Sequence, residues 1–184
     1  MIRSFAALRL AKEARDELAL CASGLKSLDK KEEIRWMPSD NYHLTLCFFG
    51  DIEPERIDLL KSDLAGRLAK FPAANVAISD ISFFPFSPNP RVVAGIVRAT
   101  DRLKSLKTAV DQAARNRGIP LEKKGFKPHV TLGRIRGRFR PKMKIVPRAL
   151  ALNCQVTKLT LFQSVLSPKG ATYLPLCDIP LSGT

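Results

Sequence analysis

The chain reads as an α+β protein of two similar lobes that share one cleft, and three observations lead there. Strand-like apolar runs alternate with amphipathic helical segments along the 184 residues. The two histidines each head the same pattern, His43-Leu44-Thr45-Leu46 and His129-Val130-Thr131-Leu132, and each pattern follows a helical segment. No linker or low-complexity tract divides the chain, so residues 1–184 are expected to form one domain of two intertwined lobes, each giving one histidine to the cleft.

The elements follow in order. Ile2 to Leu10 is an apolar run suited to a strand, and Ala11 to Leu28 carries Ala14, Leu18 and Leu25 at helical spacing with charges between them. Arg35-Trp36 leads into the turn formers Pro38-Ser39-Asp40-Asn41. The first motif strand, Tyr42 to Phe49, begins directly after them and is expected to stop at Gly50-Asp51. Pro54 to Ala69 repeats Ile57, Leu60, Leu64 and Leu68 at intervals of three and four, an amphipathic helix entered by a proline in its first turn.

Val76 to Phe86 and Arg91 to Val97 are expected as strands joined through Ser87-Pro88-Asn89-Pro90. Asp101 to Arg117 follows as a helix closed by Gly118. Phe126 to Ile135 carries the second motif and Arg136 to Arg148 is a basic segment. Val156 to Leu166 and Ala171 to Leu176 then form a terminal hairpin around Ser167-Pro168-Lys169-Gly170.

Thirty-one Lys and Arg against 17 Asp and Glu give a formal charge of +14, with a pI near 10.1. That balance favours a polyanionic partner, nucleic acid before membrane, with solubility as the competing explanation. Charges at Arg9, Lys12, Glu13 and Arg15 interrupt the start before any apolar stretch reaches the length of a signal peptide or membrane span, so a cytoplasmic protein is expected. Cys21, Cys47, Cys154 and Cys177 are widely spaced and form no C-x-x-C pair, which suggests reduced thiols rather than disulfides or a zinc knuckle.

On a strand, successive side chains alternate faces. His43 and Thr45 therefore point one way and Leu44 and Leu46 the other, as do His129 and Thr131 against Val130 and Leu132. Imidazoles titrate near neutrality, so two of them on opposite sides of a substrate can divide the work, one taking a proton and one giving it. Threonine hydroxyls beside them can hydrogen-bond a phosphoryl oxygen. The set suits displacement at phosphorus without a metal: no carboxylate shares the histidine faces, and Cys47 is the one further soft ligand in phase. Cys47 shares the parity of His43 and Thr45, which leaves it as a small residue of the cleft floor or a thiol facing substrate. A half-buried histidine satisfied by a backbone carbonyl is the ordinary alternative for either residue, and its recurrence in identical context weighs against it.

At these residues the chain resembles the 2H phosphoesterase superfamily, and within it the bacterial RNA 2′,3′-cyclic phosphodiesterases, historically called 2′-5′ RNA ligases. Arg35-Trp36 ahead of Asn41-Tyr42-His43-Leu44-Thr45-Leu46-Cys47-Phe48-Phe49-Gly50 is similar to the first block of that family, with Tyr42 where leucine is expected. Phe126-Lys127-Pro128-His129-Val130-Thr131-Leu132-Gly133-Arg134-Ile135 is similar to the second, with Lys127 where arginine is commoner. Pro90-Arg91-Val92-Val93 and the run from Leu161 to Tyr173 extend the likeness over nearly the whole chain.

The resemblance implies a bilobal fold of two pseudo-symmetric antiparallel sheets with outer helices flanking a central groove. It also implies hydrolysis of terminal 2′,3′-cyclic phosphate on RNA or nucleotides to a 2′-phosphomonoester. His43 would be proton donor and His129 proton acceptor, with no cofactor or metal, and Thr45 and Thr131 would hold the phosphate. Phe48 and Tyr173 are candidates for stacking a terminal base, core packing competing for Phe48. Strict alternation puts Arg134 in phase with Leu132 rather than Thr131, so surface charge competes there with a substrate contact. The basic run Arg134, Arg136, Arg138, Arg140, Lys142, Lys144 suits phosphate-backbone contact. A monomer is expected, with RNA ligation by reversal of the same chemistry, or a nucleotide-binding module without turnover, as the alternative functions.

Overall fold

Strand and helix periodicities sort the described residues into one curled sheet and three helices. The computed structural model describes residues 1–122, 125–137, 141–145, 150–167 and 170–181. Its elements are β1 (Ile2–Arg9), α1 (Lys12–Leu28), β2 (Ile34–Trp36), β3 (His43–Ile52), α2 (Pro54–Leu68), β4 (Ala74–Phe84), β5 (Val92–Val97), α3 (Asp101–Asn116), β6 (His129–Ile135), β7 (Leu152–Val156), β8 (Lys158–Ser167) and β9 (Gly170–Pro180). A 3-10 turn at Ser39–Asn41 precedes β3.

Among the described residues every strand pairing is antiparallel, and the sheet order is β7-β4-β5-β6-β3-β1-β8-β9 with β2 added to β6. The two expected sheets are the halves of this one sheet. They meet where β3 and β6 touch, with Leu44 paired to Val130. β3 then peels away, and β2 takes over the same edge of β6 at Gly133, Arg134 and Ile135.

The helices cross between halves. α1 leaves β1 but packs against β6, β7 and β2, while α3, which lies between β5 and β6 in sequence, packs against β3 and β4. Gly95 on β5 makes room for α1: a Cβ there would stand 3.2 Å from Ile78 and 3.6 Å from Leu18 of the helix. α2 buries the stripe expected of it, Ile57, Leu60, Leu64 and Leu68, whereas on α1 Ala14 and Leu18 are buried as expected, Leu25 only in part, and Ala22 joins them. α3 buries Leu103, Leu106, Val110, Ala113 and Ala114. Each such leucine is worth roughly 1.5–3 kcal/mol of burial.

α3 is capped at both ends. Thr100 accepts from Leu103 N at 3.3 Å. Gly118, at φ 65, donates to Arg115 O while Ile119 N reaches back to Ala114 O, the paired closure that a left-handed residue permits.

Three local expectations change. β3 continues through Gly50 to Ile52 because Gly50 takes φ 72, which lets the strand pass an extra residue, Phe49, instead of ending. β7 is a separate strand whose Leu152, Cys154 and Val156 face inward. β2 is a strand as well, its entry held by the buried Asp29 carboxylate, which accepts from Glu33 N at 2.9 Å and Ile34 N at 3.0 Å. Arg138, Arg140 and the turn residues Pro168 and Lys169 lie outside the described residues.

Candidate active site

The two motif strands carry the same sequence of exposure. From His43 to Phe48, and again from His129 to Arg134, it runs half-buried, buried, half-buried, buried, buried, exposed. The doubled buried step marks a register slip in each strand. Along β3 the residues paired to β1 jump from Thr45 to Cys47, opposite Ala7 and Ala6, leaving Leu46 extra. Along β6 the residues paired to β5 jump from Thr131 to Gly133, opposite Ala94 and Val93, leaving Leu132 extra. The carbonyl of Leu132, freed from the ladder, accepts from Met37 N at 2.8 Å.

A bulge reverses the parity of everything after it. Cys47 is turned into the core at 5% exposure, and burial pushes its thiol up to about 12. This corrects the expectation that it shares the histidine face. Phe48 is turned out to the cleft at 62% exposure, and Arg134 comes into phase with Thr131, not Leu132. Gly133 now faces inward, where a Cβ would meet Ile34 Cγ2 at 2.6 Å and Trp36 at 3.3 Å.

The Leu44–Val130 pair sets His43 across from Thr131 and Thr45 across from His129. Both rings are held in one tautomer by the same device. His43 Nδ1 lies 2.7 Å from the carbonyl of Asn41 and His129 Nδ1 lies 2.8 Å from that of Lys127. A carbonyl only accepts, so each Nδ1 carries a proton and donates it, which leaves Nε2 for the cleft. His43 Nε2 sits 3.1 Å from Thr45 Oγ1.

Aromatic rings fix the planes. His43 lies 5.1 Å from Phe5 and, edge-on at 89°, 5.1 Å from Tyr173. His129 stacks on Phe84 at 4.3 Å. The Phe5 and Phe84 contacts carry no motif signal in the sequence; they follow from sheet pairing. Burial lowers both imidazoles, His43 to about 4, partly offset by the Asn41 bond and reinforced by the positive charge of Arg134. His129 is lowered by burial and Arg134 as well. In the unliganded protein both rings are neutral at pH 7.

Beside them opens a groove of about 910 Å³ whose walls include Phe5, Phe48, Arg35, Arg134 and Tyr173. An adjoining cavity of about 220 Å³ shares Arg35 and Arg134 and reaches Asn41. The groove thus gathers Phe48, Tyr173 and Arg134 next to the histidine pair. Arg35, which the sequence marks only as part of the Arg35-Trp36 block, lines both spaces. Among the described residues no three His, Cys, Asp or Glu side chains converge as a metal site, and no helix is long and apolar enough to cross a membrane.

The family model of LigT-like phosphoesterases matches residues 8–94 and 96–173. A Thermotoga maritima protein named RNA 2′,3′-cyclic phosphodiesterase is 27% identical over 150 residues, 80% of each chain. A Thermus thermophilus protein of the same name is 32% identical over 157 residues, 80% of this chain and 75% of its own. Among solved structures, TT0787 of Thermus thermophilus superimposes with a TM-score of 0.85 at 26% identity over 99% of both chains. E. coli LigT complexed with 3′-AMP does so with a TM-score of 0.81 at 28% identity over 98% of both.

Proposed function

The chain belongs to the LigT-like phosphoesterase family, and from that premise we propose that it hydrolyses terminal 2′,3′-cyclic phosphate on RNA to a 2′-phosphomonoester. The observation that carries this reading is the pair of imidazoles, each with Nδ1 on a backbone carbonyl and Nε2 left for the cleft, across from one another's threonine. The names of the relatives support the substrate class.

In this reading His129 Nε2 takes a proton from water as the water oxygen bonds to phosphorus. The bond from phosphorus to the 3′ oxygen breaks, and His43 Nε2 gives its proton to that oxygen. Thr45 and Thr131 donate to the non-bridging oxygens, and Arg134 balances the charge that grows there. His43 at about 4 is unprotonated in the free protein, so the donor is charged only when the phosphate anion enters and raises it. Phe48 and Tyr173 stack the terminal base.

The test is product analysis on RNA with a 2′,3′-cyclic phosphate end. A 2′-phosphate product is expected, and His43→Ala and His129→Ala should each lose roughly 10²–10⁴-fold in kcat, with smaller losses for Thr45→Ala and Thr131→Ala. A 3′-phosphate product, or net joining to 5′-hydroxyl RNA, would overturn the assignment.

A further inference from the structure

Arg35 and Arg134 are direct cross-strand partners on β2 and β6. Like charges placed opposite each other on a sheet destabilise it. Among the described residues no carboxylate pairs with either side chain. Of the acids that line the groove, Asp51 lies 3.9 Å from Arg3, and Glu122 lines it beside Pro120. Both guanidiniums stand at the junction of the groove and its adjoining cavity.

The terminal hairpin bounds the pair on its other side. Gly170 comes so close that a Cβ there would stand 4.0 Å from Arg35 Nη1. The same hairpin is tied to the turn before the motif strand by Asn41 Nδ2 donating to Ala171 O at 3.4 Å. Asp29 fixes the entry of β2 through two backbone amides, so Arg35 projects from a seated strand rather than a loose loop.

Arg134 lies close enough to lower both histidines, which ties it to the reacting phosphate. Arg35 stands on the neighbouring strand, about 5 Å away at the backbone, and lines both the groove of about 910 Å³ and the adjoining cavity of about 220 Å³. A planar guanidinium binds a phosphate through two parallel hydrogen bonds.

We infer that Arg35 forms a second phosphate subsite, which takes the phosphodiester on the 5′ side of the terminal nucleotide. The preferred substrate is then an RNA end of two or more nucleotides rather than a free nucleoside cyclic phosphate. This rests on the cyclic-phosphate reading above and adds to it where the next phosphate goes.

The experiment compares kcat/KM for a dinucleotide and a nucleoside, each ending in 2′,3′-cyclic phosphate, in the wild-type protein, Arg35→Gln and Arg35→Lys. The wild-type ratio should favour the dinucleotide, Arg35→Gln should lower that ratio about tenfold, and Arg35→Lys should restore part of it. A neutral methylphosphonate in place of the internal phosphodiester should cost the wild-type protein about the same factor and Arg35→Gln nothing more. An unchanged ratio in Arg35→Gln, or indifference of the wild-type protein to the internal charge, overturns the subsite.

If the wild-type protein hydrolyses neither substrate, the hydrolase reading falls, and calorimetry decides the subsite separately. A dinucleotide ending in 2′-phosphate should then bind more tightly than the nucleoside 2′-phosphate, with Arg35→Gln removing the difference. Equal binding in the wild-type protein overturns it.

Discussion

Phe48 and Arg134 occupy the same position in two strands, each five residues beyond a motif histidine, and each turned toward the cleft by one extra leucine. Leu46 shifts the first register and Leu132 the second. The pseudo-two-fold therefore relates the bulges as well as the histidine–threonine pairs, and it places an aromatic ring on one wall and a guanidinium on the other.

Because Phe48 is 62% exposed, Phe48→Ala should leave stability within about 0.5 kcal/mol of wild type. It should raise KM for a cyclic-phosphate nucleotide, in line with about 1–3 kcal/mol of lost base stacking. Denaturant unfolding beside steady-state kinetics measures both; a large loss of stability with unchanged KM would return Phe48 to a packing role.

Gly133 must lack a side chain because the bulge turns it against β2. Gly133→Ala would drive Cβ to 2.6 Å from Ile34 Cγ2, an atom that moves only with the stiff χ1 of a β-branched residue. A loss of about 1–3 kcal/mol is expected by urea unfolding. Ile34→Ala in the same chain should recover part of it, since it removes the blocking methyl. Additive losses in the double variant would refute the clash.

The three helices, both motif strands and the histidine–threonine faces were legible because each rests on a local period, 3.6 or 2. What escaped was whatever breaks the period. Strict alternation put Cys47 on the cleft face and Arg134 off it, and the extra residues at Leu46 and Leu132 reversed both. Leucine at either site gives no local signal for a bulge. The slip is set by long-range pairing, through Ala6 and Ala7 against β3 and through Met37 N on the Leu132 carbonyl. β7 was hidden for a different reason: its alternation is only three inward residues long, and just the last of them, Val156, falls inside the strand expected from Val156 to Leu166.

Cys47 lies against α3, and burial, with Asp111 nearby, holds its thiol at about 12. Thiol reagents should leave it unmodified in the native protein at pH 8 and react once denaturant is added. Cys47→Ser should keep turnover while lowering stability by about 1–3 kcal/mol through the buried hydroxyl. Loss of activity without loss of stability would make it a cleft residue after all.

His43 couples the cleft to pH. Its folded value of about 4 lies below the 6.5 of an ordinary imidazole, so the unfolded chain binds the proton more readily. The stabilisation is complete above about pH 6.5 and is lost as pH falls toward 4, on the order of 3 kcal/mol for this group. Urea unfolding at pH 7 and pH 5 should show the decline, and His43→Asn should flatten it. Inorganic phosphate, placed between the rings, should raise both titrations in histidine NMR spectra by favouring the charged forms. An imidazole that titrates near 6.5 in the free protein, unmoved by phosphate, would remove the basis for a donor that is charged only when its substrate arrives.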